Sequence, residues 1–485
     1  MRHRRIPGTL VAVCGFLLAF PHQGAERTRV VTGSQGSVPA EVESRLLLRG
    51  HRGEIGVRIG PPGEIRFQSV LARQPSPSGL PVEAWISGGT IEITPPEGAP
   101  PRSGVLEVVV PPRIFVEVEA TDATVVVTGL RSGLEARGER LLVTARGIEG
   151  AVRLELTAGS AVVEGQRGDV SLSGSGIEAR VTKVEGSVRT KVVDSSLEIR
   201  EVTGALEADL SGTPLVLAGL AGPLRLRATG GTVALRGLKQ GGEIVVSGTP
   251  IDLEESAGDV DVQTDAALRF RDSDIDLHVD SYGGSVHGTG NDGLLEVKTE
   301  GGEVVIDRVK GPTRVQGRRL VIDLQHVDGE IYVDAASSQI TIGDAGAEVH
   351  VQSENGDVTV LRPATEVVVT SRGGDVRLLE TRGPFRVEAD GSRVEISLAS
   401  PFALKDSEVQ NHGGEVEVRI PPNLRLRVAA ETRYGRIDSI LPGFQVGDGV
   451  RTAEGKMGSG GGDVATLRIQ AGGNILLGEK EPVGQ

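Results

Sequence analysis

The residues best suited to chemistry form an acidic row in the middle of the chain: Asp272, Asp274, Asp276, His278 and Asp280. They alternate with mainly apolar residues, so on a β-strand all five side chains would share one solvent-facing side. Carboxylates and imidazole together are ligands for Ca²⁺ or another divalent cation. The alternative is a solvated acidic surface that binds no ion. Asp274, Asp276, His278 and Asp280 are therefore candidate metal ligands, with this alternative left open.

Carboxylate pairs also raise the question of glycoside hydrolysis, which needs two carboxyl groups about 5 to 9 Å apart. Asp259 with Asp261, or Asp274 with Asp276, are candidates. Alternation in an acidic β protein produces such pairs by default, and aromatic residues, which commonly line sugar clefts, are only 2% of the chain. The sequence contains no nucleophile elbow, phosphate loop, dinucleotide motif or zinc motif. We therefore expect a protein that is not an enzyme and has no cofactor.

The N-terminal segment 1–25 has the organisation of a secretory signal peptide. Arg2, Arg4 and Arg5 precede an apolar run, and small residues follow it up to Ala25. The run is too short to span about 30 Å of hydrocarbon, and nothing later resembles a second span. We expect an exported chain that is periplasmic, cell-surface or extracellular, without a transmembrane span in its mature form.

Composition excludes further classes of function. Cys14, the single cysteine, lies in the segment expected to be removed, so the mature chain would have no disulfide and no thiolate site. Removal of three arginines from 52 basic residues leaves 49 against 66 acidic ones, a balance of −17. An acidic chain with few aromatic residues lacks both the phosphate attraction and the stacking surfaces of a nucleic-acid binder.

Alternation with a period of two runs through nearly the whole chain, and no window of about a dozen residues has apolar positions at helical spacing. A longer period is superimposed on it. Gly150, Gly168, Gly186, Gly204 and Gly222 follow one another at intervals of 18 residues. Such a fixed period is typical of repeat proteins, in which each unit packs only on its neighbours.

Units of 18 residues, aligned on one another, give three columns of apolar residues. These are Val152, Val170, Val188, Leu206 and Leu224; Ala161, Ala179, Leu197, Leu215 and Val233; and Val163, Val181, Ile199, Leu217 and Leu235. We therefore predict an all-β, single-stranded parallel β-solenoid (β-helix) with coils of about 18 residues. The glycines are expected at corners that need a positive φ or have no room for a Cβ. An antiparallel meander or sandwich is the alternative, which the in-register columns disfavour.

Changes in this pattern divide the chain into a signal peptide (1–25), a linker (26–44), an N-terminal β cap (45–104), solenoid repeats (105–420), and a C-terminal β cap and tail (421–485). The repeats would form on the order of 17 coils, or a rod roughly 80 Å long. Caps at both ends would cover strand edges that otherwise pair with other chains. An irregular stretch at 247–280 is a candidate join between two tandem repeats.

Several motifs resemble those of a known family. They are Pro111-Pro112-Arg113 before an alternating strand, Gly-Asp-Val and Gly-Gly-(Asp/Glu)-Val steps such as Gly373-Gly374-Asp375-Val376, and Tyr434-Gly435-Arg436-Ile437 after Ile420-Pro421-Pro422. From about residue 105 onwards this pattern is similar to the bacterial adhesin-like β-strand-repeat family of unknown function. The resemblance implies a parallel β-helix outside the cytoplasm with an adhesin-like role, and it supplies no catalytic residues.

Together these observations predict an exported adhesin-like or envelope-associated solenoid that binds a partner through its lateral surface. The partner would be a surface or envelope macromolecule, either a protein or a glycan. One alternative is a carbohydrate-active β-helix enzyme, a polysaccharide lyase or hydrolase. Another is a passive structural spacer. An enzyme would need a concave groove with converging carboxylates, whereas a binding protein needs only a broad patch on one sheet.

Overall fold

A computed structural model describes residues 27–41, 44–71, 80–98, 103–400, 405–441, 444–447, 449–457 and 464–480. The predicted signal peptide and Cys14 lie outside these ranges. All regular structure within them is β, which confirms the predicted class. Among these residues no helix is long and apolar enough to cross a membrane.

Forty strands in the described residues form one hydrogen-bonded system. The strands before the repeats are β1 (Thr28–Gly33), β2 (Gln35–Pro39), β3 (Arg45–Arg49), β4 (Arg52–Ile59), β5 (Glu64–Leu71), β6 (Val82–Ser87), β7 (Thr90–Thr94) and β8 (Ser103–Val110). The strands after the repeats are β36 (Leu426–Thr432), β37 (Ile437–Ser439), β38 (Thr452–Met457), β39 (Ala465–Ala471) and β40 (Ile475–Glu479).

The repeat region lies between these two groups and contains the remaining strands. They are β9 (Phe115–Thr128), β10 (Leu134–Arg146), β11 (Val152–Gln166), β12 (Val170–Val184), β13 (Val188–Val193), β14 (Ser196–Val202), β15 (Leu206–Ser211), β16 (Leu215–Leu220), β17 (Leu224–Thr229), β18 (Val233–Leu238), β19 (Gly241–Ser247), β20 (Ile251–Glu254), β21 (Ala257–Thr264), β22 (Leu268–Ser281), β23 (Val286–Asn291), β24 (Leu295–Val309), β25 (Thr313–Val327), β26 (Ile331–Ala336), β27 (Gln339–Gly343), β28 (Val349–Glu354), β29 (Val358–Leu361), β30 (Val367–Arg372), β31 (Val376–Thr381), β32 (Phe385–Asp390), β33 (Val394–Leu398), β34 (Ser407–Asn411) and β35 (Val416–Ile420).

Successive coils pair in parallel, which confirms the predicted solenoid of about 17 coils. Each coil contributes to two lateral sheets. Sheet A contains the column that runs from Val152 through Val170 and Val188, and sheet B contains the columns that begin at Ala161 and Val163. The longest strands, such as β11, bend at a corner and belong to both sheets.

The core lies between the two sheets. All residues of the three predicted columns are buried, with at most 4% of any side chain exposed. Burial of one Val or Leu side chain contributes about 1.5–3 kcal/mol. A single coil cannot bury these side chains alone, because they also pack against the coils above and below it.

The repeated glycines have two different structural causes. Two ladders of left-handed residues follow the 18-residue period, but many of their members carry side chains, such as Asp122 (φ 56°) and Lys183 (φ 55°). Gly186, Gly204 and Gly222 lie elsewhere and have no positive φ. Their constraint is space, because a Cβ on Gly204 would lie 2.5 Å from the carbonyl oxygen of Gly186.

We expect Gly204→Ala to lower the free energy of unfolding by about 1–3 kcal/mol, since the added Cβ would push neighbouring coils apart. Urea denaturation followed by circular dichroism measures this change. The matched control is Gly56→Ala, because that glycine has no positive φ and a Cβ there would have no atom within 4 Å. Equal stability of both variants and the parent chain would contradict the spatial explanation.

The stretch 247–280 contains a local change of period. Ile251 pairs with Leu268 and Val260 with Leu277, steps of 17 residues instead of 18. The coil is one residue shorter at the corner that begins at Asp265. The carboxylate of Asp265 accepts hydrogen bonds from the backbone N–H of Gly248 at 2.6 Å and from the hydroxyl of Ser247 at 2.7 Å. Both sheets continue through this stretch, and its role as a join between tandem repeats stays a prediction.

The N-terminal end is covered mainly by antiparallel strands. In sheet A the order from the end is β1, β6, β7, β3 and β9, and in sheet B it is β2, β5, β8, β4 and β9. Cation–π contacts join β1 to Trp85 on β6. The guanidinium groups of Arg27, just before β1, and Arg29, on β1, lie 4.6 and 5.0 Å from the ring centroid of Trp85.

This arrangement differs from the predicted division of the chain in two respects. First, strands β1 and β2 lie in segment 26–44, which the sequence pattern assigns to a linker. Second, β3 and β4 lie in segment 45–104, the predicted cap, but pair in parallel with β9 as a further coil. The reason is that β1 pairs with β6, a strand more than fifty residues later, so its partner cannot be recognised locally.

The C-terminal end is closed by strand insertion. Strand β39 pairs in parallel with β34 on one side and β36 on the other, and β40 lies in the same way between β35 and β37. The last strands of the chain therefore lie inside the stack, and β36 with its antiparallel neighbour β38 lies outside them.

We expect a chain that ends at Asp463 to lose this end of the solenoid, because β36 and β37 would have no coil to pair with. Limited proteolysis with mass spectrometry should then show cleavage between 421 and 457. A chain that ends at Lys480 keeps both inserted strands and is the control. Protection of β36 in the shorter chain would contradict the observed strand order.

Candidate binding surface

The acidic row does not lie on one flat strand. Asp272 occupies a corner with φ 49°, so Asp274 and Asp276 lie on the connection between the sheets, while His278 and Asp280 lie on sheet A. All five side chains are exposed or half-buried, as their alternation predicts. Asp272 and Asp274 line one hollow of the surface, whereas His278 and Asp280 line another.

Protein groups already engage several of these side chains. The backbone N–H of Leu294 donates to Asp276 Oδ1 at 2.8 Å, and His278 Nδ1 lies 3.3 Å from Glu296 Oε2. Lys298 and His278 together lower the pKa of Glu296. Within the described ranges, no group of three or more His, Cys, Asp or Glu side chains could hold a metal ion. Cation binding at this row stays an untested hypothesis, and these contacts favour the alternative of a solvated acidic surface.

We expect Ca²⁺ up to about 1 mM to leave the melting temperature of the chelator-treated protein unchanged, because even weak extracellular calcium sites use several converging oxygen ligands. Differential scanning fluorimetry measures this shift. A stabilisation that the Asp276→Asn variant abolishes would instead establish a cation site at the acidic row.

The sheet A part of the row lines a small hollow of about 220 Å³. His278 and Asp280 meet Glu243, Asp261 and Lys298 there. Asp261 is thus the only member of the two candidate carboxylate pairs that contributes to this hollow.

A larger concave surface lies on sheet B and is called here the sheet B groove. Its volume is about 890 Å³, and it crosses seven successive strands (β14, β16, β18, β20, β22, β23 and β24), a distance of about 30 Å. Outward residues of two neighbouring columns line it: Arg200, Ala218, Arg236, Glu254, Arg271, Thr289 and Asp307 form one, and Val216, Ala234, Asp252, Arg269, His287 and Val305 form the other.

Differences in side-chain size make this surface concave. Ala218 separates the long side chains of Arg200 and Arg236 along one column, and Val216 and Ala234 leave a short apolar floor beside it. The sequence contains this signal as a small outward residue, Ala218, that lies 18 positions from Arg200 and from Arg236. Acidic motifs alone do not reveal it.

Most charges of the groove already have partners. Arg236 forms a bidentate pair with Glu255 at 3.0 and 2.5 Å, and Arg271 pairs with Glu254. Arg269 and Asp252 differ, because both are exposed and neither side chain has an ion pair or hydrogen bond within the described ranges, although they are neighbours across the strands. These two groups are free to bind a ligand.

Comparison with known proteins confirms the recognition made from the sequence motifs. Residues 251–470 match the family model described as Toastrack DUF4097, a domain of unknown function. No curated protein matches the chain. One solved structure is similar: a "putative cell adhesion protein" from Clostridium sporogenes ATCC 15579, with 8% identity, a TM-score of 0.13, and coverage of 92% of this chain and 99% of that chain.

The Toastrack match begins within the sheet B groove. Asp252 and Arg269 belong to the matched segment, whereas Arg200 and Arg236 lie on the preceding coils. The matched family carries no assigned activity, and a structural likeness at this TM-score supplies no functional argument.

Proposed function

We propose that the protein is an exported, non-catalytic, adhesin-like or envelope-associated solenoid that binds a surface or envelope macromolecule through the sheet B groove. The observation that carries this proposal is a groove about 30 Å long with an apolar floor and two uncommitted charges of opposite sign, Arg269 and Asp252. An extended ligand could bury the floor and form charge-assisted hydrogen bonds with both groups.

The character of the groove favours binding over catalysis. A general acid in glycoside hydrolysis needs a raised pKa, which requires a carboxyl group in an apolar or like-charged environment. Asp252 is exposed on the sheet surface. Glu198, which pairs with Arg200 at the edge of the groove, has its pKa lowered, chiefly by a hydrogen bond from Arg180. These properties suit polar recognition better than proton transfer.

We expect fluorescently labelled mature chain, residues 26–485, to bind intact cells of the source organism saturably. Arg269→Glu should weaken this binding about tenfold or more, because it removes a charge-assisted hydrogen bond and adds repulsion. Flow cytometry gives the apparent Kd. Export is tested separately. Fractionation of cells that express the full chain shows whether the protein leaves the cytoplasm.

The matched control is Arg314→Glu on sheet A. Arg314 is also exposed and has no ion pair within the described ranges, so the change in net charge is identical. Equal losses in both variants would indicate a non-specific charge effect and reject the groove. Absence of saturable binding in the parent chain would favour a passive spacer.

A further inference from the structure

A second cavity lies at the N-terminal end of the solenoid, distant in sequence from the sheet B groove. Its volume is about 810 Å³, and it is lined by the corner between β3 and β4, by β5 and β8, and by the first corners of β9 and β10. Cavities of this size accommodate small organic ligands. It is therefore a separate candidate site.

The walls of this cavity are largely apolar. Leu80, Pro81, Pro95, Pro96 and Leu106 are among the apolar residues that line it. Transfer of an apolar molecule from water into such a space is favourable in proportion to the area it buries. The body of a ligand would therefore be hydrocarbon.

Two polar side chains, both more than nine-tenths buried, also line the cavity. His51 is 7% exposed and Ser69 is 3% exposed. His51 Nε2 lies 3.2 Å from the carbonyl oxygen of Ile93. A carbonyl only accepts hydrogen bonds, so Nε2 carries the proton in the neutral ring, and Nδ1 remains an acceptor. Burial lowers the pKa of His51 to about 4, which keeps the ring neutral at pH 7.

Neither His51 Nδ1 nor Ser69 Oγ has a hydrogen-bond partner within the described ranges. An acceptor in an apolar cavity favours a ligand that brings a donor, because an unpaired polar atom is unfavourable there. A hydroxyl group carries both functions that these atoms lack, since it can donate to the ring nitrogen of His51 and accept from the hydroxyl of Ser69.

The mouth of the cavity carries one arginine that forms no ion pair with any described residue. Arg49 is bound to Glu119 at 2.6 Å, and Arg137 is bound to Glu135 at 2.6 Å. Arg52 lines the same cavity and is exposed, but it has no ion pair within the described ranges. A carboxylate is the natural partner for such a guanidinium group.

We infer that this cavity binds a hydroxylated long-chain carboxylic acid. The hydrocarbon chain occupies the apolar interior, the hydroxyl hydrogen-bonds with His51 Nδ1 and Ser69 Oγ, and the carboxylate binds Arg52 at the mouth. This site does not depend on the function proposed for the sheet B groove, and either one can fail without the other.

The test uses the mature chain and three probes below their micelle concentrations: 3-hydroxydodecanoate, dodecanoate and methyl 3-hydroxydodecanoate. Isothermal titration calorimetry should show saturable binding that is tightest for 3-hydroxydodecanoate. Removal of the hydroxyl or esterification of the carboxylate should each weaken binding about tenfold, the effect of one well-placed polar contact.

Variants assign each contact. Arg52→Gln, at an exposed position that should leave the fold intact, is expected to weaken binding of the free acid about tenfold and to leave the methyl ester unaffected. His51→Phe should abolish the preference for the hydroxylated acid, and circular dichroism verifies its fold. The control is Arg153→Gln, an exposed sheet A arginine. The inference is overturned if no probe binds saturably, or if Arg52→Gln and Arg153→Gln bind all probes like the parent chain.

Discussion

Parallel backbone hydrogen bonding between equivalent residues of successive coils is the interaction on which the rest of the structure depends. It fixes the distance between coils at about 4.8 Å, so residues 18 positions apart lie directly over one another. Val152 must then pack on Val170, and Gly204 must pass the carbonyl of Gly186 without a side chain. The same distance places Arg189 beside Glu207 and Arg180 beside Glu198 on the outer surface. Each exposed pair contributes little to stability, but all of them favour one register.

The sequence predicts those features of the fold that repeat, and it fails where the period is interrupted. The buried columns and the glycines could be recognised because each coil makes the same contacts as the one before. Left-handed corners could not be recognised from glycine alone, since Asp122 and Lys183 adopt the same conformation. The pairing of β1 with β6 and the insertion of β39 depend on partners that lie far away in the sequence. Such contacts leave no local pattern.

Prediction of candidate sites was limited for a related reason. The acidic row attracts attention because its residues are close in sequence, yet its members line different hollows of the surface. The sheet B groove consists of residues such as Arg200, Ala218 and Arg236, which are far apart along the chain and adjacent only after the coils stack. In the N-terminal cavity, the ring of His51 contacts the carbonyl of Ile93, 42 residues later. In a solenoid, the columns are therefore a better guide to function than short motifs.

The inserted position of β39 and β40 has a consequence for biogenesis. If the chain crosses a membrane starting with its N-terminus, each coil can pair with the preceding coil as it emerges. The far end cannot mature in this order, because β36 reaches the folding compartment before the strands that must separate it from β34. Completion of this end of the solenoid therefore waits for strands β39 and β40. This late step would act as a check that only molecules containing both strands cover the edges of β34 and β35.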